Sequence, residues 1–238
     1  MAEQILFDSL KGWEAYAQLR AAAEKAQVSA AHGMAEGQKP YLAAALHRDT
    51  RRPVVLVVPN DVIAARMAED LTQLLGETVG LLPAREVSLY RAVAASQEVS
   101  SRRLEALQHM SSGAVGVLVA SADALMHRLM EPAVFAAHAF TLEEGQRCAL
   151  DALSERLTAC GYTREDMVEG KGQFALRGGI LDEYAPAAIS ALRIEFFDDE
   201  VDSIRTFDVL TQRSQNRVQR AEISPASEAL IPDRKSVV

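Results

Sequence analysis

The chain has 238 residues, 49% of them apolar, and a formal charge of −8. That is enough apolar material for one large core or two ordinary ones. The acidic balance excludes a protein whose main task is neutralising phosphates along DNA. The charge is also uneven, −2 over residues 1–138 against −6 over residues 139–222. The arginines of the second region therefore suit acidic or mixed patches on another protein better than nucleic acid. Cys148 and Cys160 are too few for a disulfide framework or a zinc site and read as reduced and structural. There is no basic-then-apolar leader and no apolar run near the ~18 residues of a membrane span. A cytoplasmic location without membrane contact is expected.

In chain order, residues 8–26 suit an amphipathic helix, with Leu10, Trp13, Tyr16 and Leu19 near one face and Asp8 or Ser9 as cap. Val28 to Ala31 reads as a short strand, followed by a glycine-bearing loop from His32 to Pro40 and a helix beginning at Tyr41. Strand, glycine loop and helix are the order of a phosphate-binding loop, so the spacing can be tested. With Gly37 as the second glycine of a Walker A loop, the first falls on His32 and the lysine on Gln38. With Gly33 as the first glycine, the lysine falls on Lys39, the second glycine becomes Gln38 and Pro40 replaces the hydroxyl residue. Neither register supplies the backbone freedom and charges that hold a nucleoside triphosphate and its metal.

Pro53 to Pro59 is a continuous β-branched run, predicting a parallel strand buried on both faces. A helix follows from an Asn60 cap to about Gly76, with Ala64, Met67, Ala68 and Leu71 inward. A short strand over Thr78 to Pro83, a helix over Ser96 to Ser111, a buried strand over Gly116 to Ser121 and a helix over Ala122 to Met130 complete the alternation. Alternating strands and helices build an α/β layer with right-handed crossovers. Composition changes near His138, and a domain boundary is expected at roughly 138–145. After a helix over residues 147–160 the chain is rich in strand and acid. Residues 223–228 are expected to return to the first layer, and residues 233–238 end without a cap, as in a fragment of a longer protein.

Within the second region Phe174 and Leu176, then Ile180, Leu181 and Tyr184, then Leu192, Ile194 and Phe196 alternate with period two, predicting a small antiparallel sheet. Gly178 and Gly179 fit a tight hairpin turn and leave Arg177 projecting beside it. That arginine is either a recognition device or one half of a local salt bridge to Asp182 or Glu183. The run Asp198 to Asp202 reads as a solvated turn in preference to a metal site. His32, His47, His109, His127 and His138 form no ligand cluster, and Ser100, Ser101, Ser111 and Ser112 lack the context of a nucleophile. No catalytic, metal or cofactor residue is assigned.

Phe174 to Asp182, Arg193 to Asp208, Thr211 to Ser214 and Ile223 to Glu228 resemble the N-terminal region of the bacterial transcription-repair coupling factor. That region is itself similar to the helicase-like B component of the excinuclease. Leu82 to Glu86, Leu118 to Leu125 and Leu142 to Gly145 extend the likeness over roughly residues 28–230. The resemblance implies an α/β fold: a helicase-motor-like parallel sheet layer over residues 1–138, lacking a working Walker A loop, with a smaller inserted mixed α+β domain over 139–222. Residues 223–238 would return to the first layer and end the fragment.

It also implies a non-catalytic module that docks the A component of the excinuclease and recruits it to stalled transcription complexes in nucleotide excision repair. Translocase ATPase chemistry would reside in a C-terminal part of the full-length family, which reaches RNA polymerase and DNA through other domains. The contact residues carried over are Arg177, Phe174, Asp182, Tyr162 and Arg164. Family members commonly place an arginine directly after that tyrosine, whereas Thr163 intervenes here. Between Pro83 and Ser101 only Tyr90 stands where the excinuclease B component carries a tyrosine-rich DNA hairpin. No cofactor and a monomer are expected. The alternative reading is a helicase-like NTPase fragment that binds ATP and DNA.

Overall fold

The structure is a computed structural model that describes residues 7–10, 12–85 and 93–230, with 93–96 described by their backbone. The expectations for Glu86, Tyr90 and residues 233–238 lie outside these. The chain divides into two compact units, residues 1–84 with 112–127 and residues 85–111 with 128–238. Its helices and mixed sheets make it an α/β protein, as the alternation of patterns predicts.

The first unit holds α1 (Glu14–Glu24), α2 (Gln38–Thr50), β1 (Val54–Val58), α3 (Asp61–Leu75) and β2 (Gly80–Leu82). The sequence of the second unit then supplies α4 (Val93–Ser112), after which β3 (Val117–Ser121) and the single turn α5 (Ala122–Leu125) complete the first. The sheet is parallel, in the order β1-β3-β2, with Val55 opposite Leu118 and Leu81 opposite Val119. β3 is buried at every position because it is the central strand. β1 is not buried on both faces as predicted: Val55 and Val57 are about half exposed, since β1 is an outer strand whose apolar core lies on the α2 and α3 side. In α3 the Asn60 side chain accepts a hydrogen bond from the Ile63 N–H at 3.0 Å, and Gly76 closes the helix in the left-handed conformation. Ala64, Met67, Ala68 and Leu71 are buried, matching the inward face read from spacing.

Two expectations fail in this half. Residues 28–31 form no strand; the Val28 side chain is fully exposed and has no partner strand against which to bury. The predicted helix from Ala122 to Met130 stops after one turn, and a separate helix α6 (Pro132–His138) begins with Pro132, which suits a first helical position.

The second unit carries α6, β4 (Phe140–Glu143), α7 (Leu150–Ala159) and strands β5 (Thr163–Arg164), β6 (Gln173–Arg177), β7 (Ile180–Tyr184), β8 (Ala191–Phe197), β9 (Glu200–Phe207), β10 (Ser214–Val218) and β11 (Arg220–Ile223). Six of these strands form one sheet in the order β10-β9-β8-β7-β6-β5, antiparallel except for β5 against β6. β4 and β11 form a separate antiparallel pair. Leu153 and Leu157 of α7 join Phe174, Leu181, Ile194 and Ile204 in one core. The other face has a smaller core of Ala175, Ala191, Phe207 and Val168. The sheet is thus covered on both faces near its middle, and its hairpin tips protrude.

Candidate docking surface

The β6–β7 hairpin is fixed by its turn. Arg177 pairs with Ile180 across a two-residue loop, with Gly178 at φ +60°. A positive φ at the first central residue only is the sign pattern of a type II′ turn, whose twist matches that of the flanking strands. Gly179 is required for a different reason: a Cβ there would lie 2.9 Å from the Phe196 carbonyl oxygen of β8. The same approach lets the Phe196 N–H donate to the Gly179 carbonyl at 2.8 Å, tying the hairpin tip to the next strand.

Period-two alternation sorts the side chains. Leu176, Leu181, Leu192 and Ile194 face the main core. Arg177, Asp182 and Arg193 therefore share the opposite face. Asp182 is 1% exposed and is held by two arginines. Arg193 grips it bidentately, Nε to Oδ1 at 2.7 Å and Nη2 to Oδ2 at 2.9 Å, while Arg177 Nη2 donates to Oδ2 at 2.6 Å. Arg193 is further anchored by the Gln212 carbonyl at 3.1 Å and lies over the Phe207 ring. Its hydrogen bonds to Asp182 raise its pKa. Arg177 has no such anchor among the described residues and leaves 47% of its side chain in solvent. Both readings of Arg177 thus meet: the salt bridge to Asp182 exists, and nearly half of the side chain is still open to solvent. Two guanidinium groups share the Asp182 carboxylate, and the more exposed of the two is Arg177.

The remaining expected contact residues are distributed differently. Phe174 is wholly buried in the main core, so its side chain offers no surface. Tyr162 is buried as well, and its hydroxyl donates to the Ser224 carbonyl at 2.9 Å. Arg164 is exposed on the edge strand β5 and lines an open groove of about 630 Å³ between α7 and residues 227–230. It pairs with Phe174, three residues before Arg177, which puts it ~10 Å from the tip along the strand.

Two residues escaped the sequence reading, Arg193 and Phe197, while Glu183, the other expected partner of Arg177, turns to the core face instead. Arg193 needs the strand register to be seen as the partner of Asp182. Phe197 stands 80% exposed at the end of β8, although its position beside Phe196 breaks the alternation and is a legible signal. Glu183 is fully buried among apolar side chains, and neither carboxyl oxygen has a well-formed hydrogen bond. Burial pushes its pKa up to about 8, and the nearby Ala185 N–H offsets this only in part.

Cys148 and Cys160 are free thiols, and burial raises both, the opposite of a reactive thiolate. Among the described residues no group of three or more His, Cys, Asp or Glu side chains could hold a metal ion, and Asp198 lies in the β8–β9 turn at φ +57°. No helix among them is long and apolar enough to cross a membrane.

Residues 140–228, which contain this whole sheet, match the family described as the UvrB interaction domain. The chain is 34% identical over 206 residues to the transcription-repair-coupling factor of Bacillus subtilis, covering 86% of this chain and 18% of that protein. It is 34% identical over 180 residues to the same factor of Haemophilus influenzae and over 176 residues to that of Escherichia coli, covering 76% and 74% of this chain. This chain is a relative of the transcription-repair-coupling factors and carries a UvrB interaction domain. It spans less than a fifth of the length of those relatives. The UvrB interaction domain thus contains the Arg177 hairpin, the Asp182 and Arg193 pair beneath it and the exposed Phe197. The resemblance read from the motifs over residues 174–228 agrees with this match.

Proposed function

We propose that this chain is a non-catalytic protein-interaction module that recruits the A component of the excinuclease to stalled transcription complexes in nucleotide excision repair. The observation that carries the reading is Arg177: a half-exposed guanidinium side chain on a hairpin locked to its neighbour, inside residues that match the UvrB interaction domain. In this reading residues 139–222 are the inserted docking domain, residues 1–138 a scaffold without nucleotide chemistry, and residues 223–228 the return to it.

Arg177 makes the ionic contact. Asp182 holds Arg177 from below, Phe174 and Tyr162 set the hairpin through the core, and Arg164 offers a second contact along the sheet edge. The module acts in the cytoplasm as a monomer, and RNA polymerase and DNA are reached through other parts of a longer protein. A bidentate pair to a partner carboxylate at an interface centre is worth ~2–4 kcal/mol on truncation. Arg177→Ala should therefore weaken binding of the purified excinuclease A component by roughly 30- to 1,000-fold, read by surface plasmon resonance. No binding by the wild-type chain, or equal affinity of the variant, refutes the role.

A further inference from the structure

We propose that Glu183 works as a proton-operated latch: with its proton it lets α7 and residues 224–228 close over the sheet, and on losing the proton it opens that corner of the core while the rest of the sheet stays folded. The inference is independent of the function just proposed, because Glu183 turns to the face of β7 opposite that of Arg177 and Asp182.

Strand register places the carboxyl. Glu183 lies opposite Phe174 on β6 and Leu192 on β8, and both of these pack into the main core. It is fully buried, and neither carboxyl oxygen has a hydrogen-bond partner among the described residues. A carboxylate in that setting is far costlier than a carboxylic acid. Across the core, Leu153, Leu157, Cys160 and Tyr162 bring in α7 and its C-terminal end. Tyr162 is the link. Its side chain is buried, and the nearby Glu183 charge adds to burial in raising its pKa. Its hydroxyl donates to the Ser224 carbonyl at 2.9 Å, and the Ala226 N–H donates to the Cys160 carbonyl at 2.8 Å. A Cβ on Gly161 would lie only 2.5 Å from that of Ser227. Residues 224–227 are thus held on the end of α7 by contacts that all fall on residues 160–162, against which Glu183 is buried.

The other ionisable groups of this corner do not give the same response. Burial raises Cys160 and Cys148, and it raises Tyr162 well above its ordinary value. Arg156 stays charged over the Phe140 ring at the edge of the core, and the His138 ring turns back to the Val134 carbonyl. Glu183 differs, since burial lifts its carboxyl to about 8 against the opposing Ala185 N–H. Once the corner opens to water, the group ionises near the ordinary 4.5. A closed-state pKa above the opened one means that closure is fully supported below about 4.5 and weakens as pH rises to about 8. Across that window the opened population grows by up to about tenfold per pH unit.

Amide hydrogen exchange of the full chain tests the latch, with each rate divided by the intrinsic rate at that pH. The Ala226 amide should exchange faster by up to about tenfold per pH unit between about pH 6 and 8. It should do so without responding to low urea, because a local opening exposes little surface. Glu183→Gln and Glu183→Leu each remove the titrating group and should flatten the pH dependence; the leucine variant keeps the test readable if a buried amide disturbs folding. Tyr162→Phe cuts the hydrogen bond to Ser224 but keeps the carboxyl, so exchange should rise at every pH with the slope retained. A flat wild-type profile, or an undiminished slope in the Glu183 variants, overturns the proposal. So does an Ala226 amide that follows urea in step with the amides of β8 and β9, which would mean that the whole sheet opens with it.

Discussion

Asp182 and Arg193 decide how the hairpin tip behaves. A carboxylate this deeply buried needs its charge matched, and the bidentate Arg193 does so from the neighbouring strand. Removing one partner of such a pair costs more than removing both, because an unmatched charge remains. Arg193→Met should therefore destabilise the chain by about 2–4 kcal/mol in urea unfolding, below the usual upper range because Arg177 still reaches Asp182. Adding Asp182→Leu should restore part of that loss; a double variant less stable than Arg193→Met would contradict the pairing. At this scale the sequence was legible where separation is short. Asp182 is five residues from Arg177 across a visible glycine turn, so the salt bridge was one of two expectations. Arg193 is eleven residues from Asp182 and separated from it by a connection whose length does not reveal register. Phe174 and Tyr162 enter as contact residues only through the resemblance, and their burial depends on a core that local pattern does not reveal.

Among elements, hairpins with glycine turns and strongly periodic helices were the readable ones. The β6, β7 and β8 runs, the α3 helix with its Asn60 cap and the central strand β3 all follow from local pattern plus turn chemistry. Elements whose state depends on neighbours were not: β1 has the composition of a central strand but an outer place, and Val28 to Ala31 has strand composition without a partner. Gly179 shows how local chemistry and tertiary contact combine. Its own conformation tolerates a side chain, yet the Phe196 carbonyl lies where a Cβ would go. Gly179→Ala should force the hairpin away from β8, at a cost of about 1–3 kcal/mol typical of overpacking. The Phe196 amide, which donates to Gly179 at 2.8 Å, should then lose protection in hydrogen exchange. Retention of that protection would show that the strand gap absorbs the methyl group.

For the molecule as a whole, two buried carboxyls set opposite limits on stability. Glu228 draws Arg103 at 2.6 Å and Arg85 at 2.9 Å, linking α4 to a segment more than a hundred residues away in the second unit. Burial raises its pKa, but the hydrogen bonds from Arg103 and Arg85 outweigh that and hold it below the ordinary 4.5. A depressed carboxylate contributes stability above its unfolded pKa and loses it as pH falls through the folded value, so Glu228 governs the acid limb. Glu183 has the opposite sign. With its folded pKa near 8 against an ordinary 4.5, the folded state keeps a proton that the unfolded chain has released. Its contribution is fully present below 4.5 and is lost as pH rises to about 8, at up to about 1.4 kcal/mol per pH unit. Unfolding free energy measured by urea titration should therefore decline between about pH 5 and 8 in the wild type. Glu183→Gln should flatten that decline while leaving the acid limb intact, and Glu228→Gln should lower stability at neutral pH and blunt the acid limb. An unchanged alkaline slope in Glu183→Gln would mean that water or a shifted backbone reaches the carboxyl, and that the core around it is not the dry one in which α7 meets the sheet.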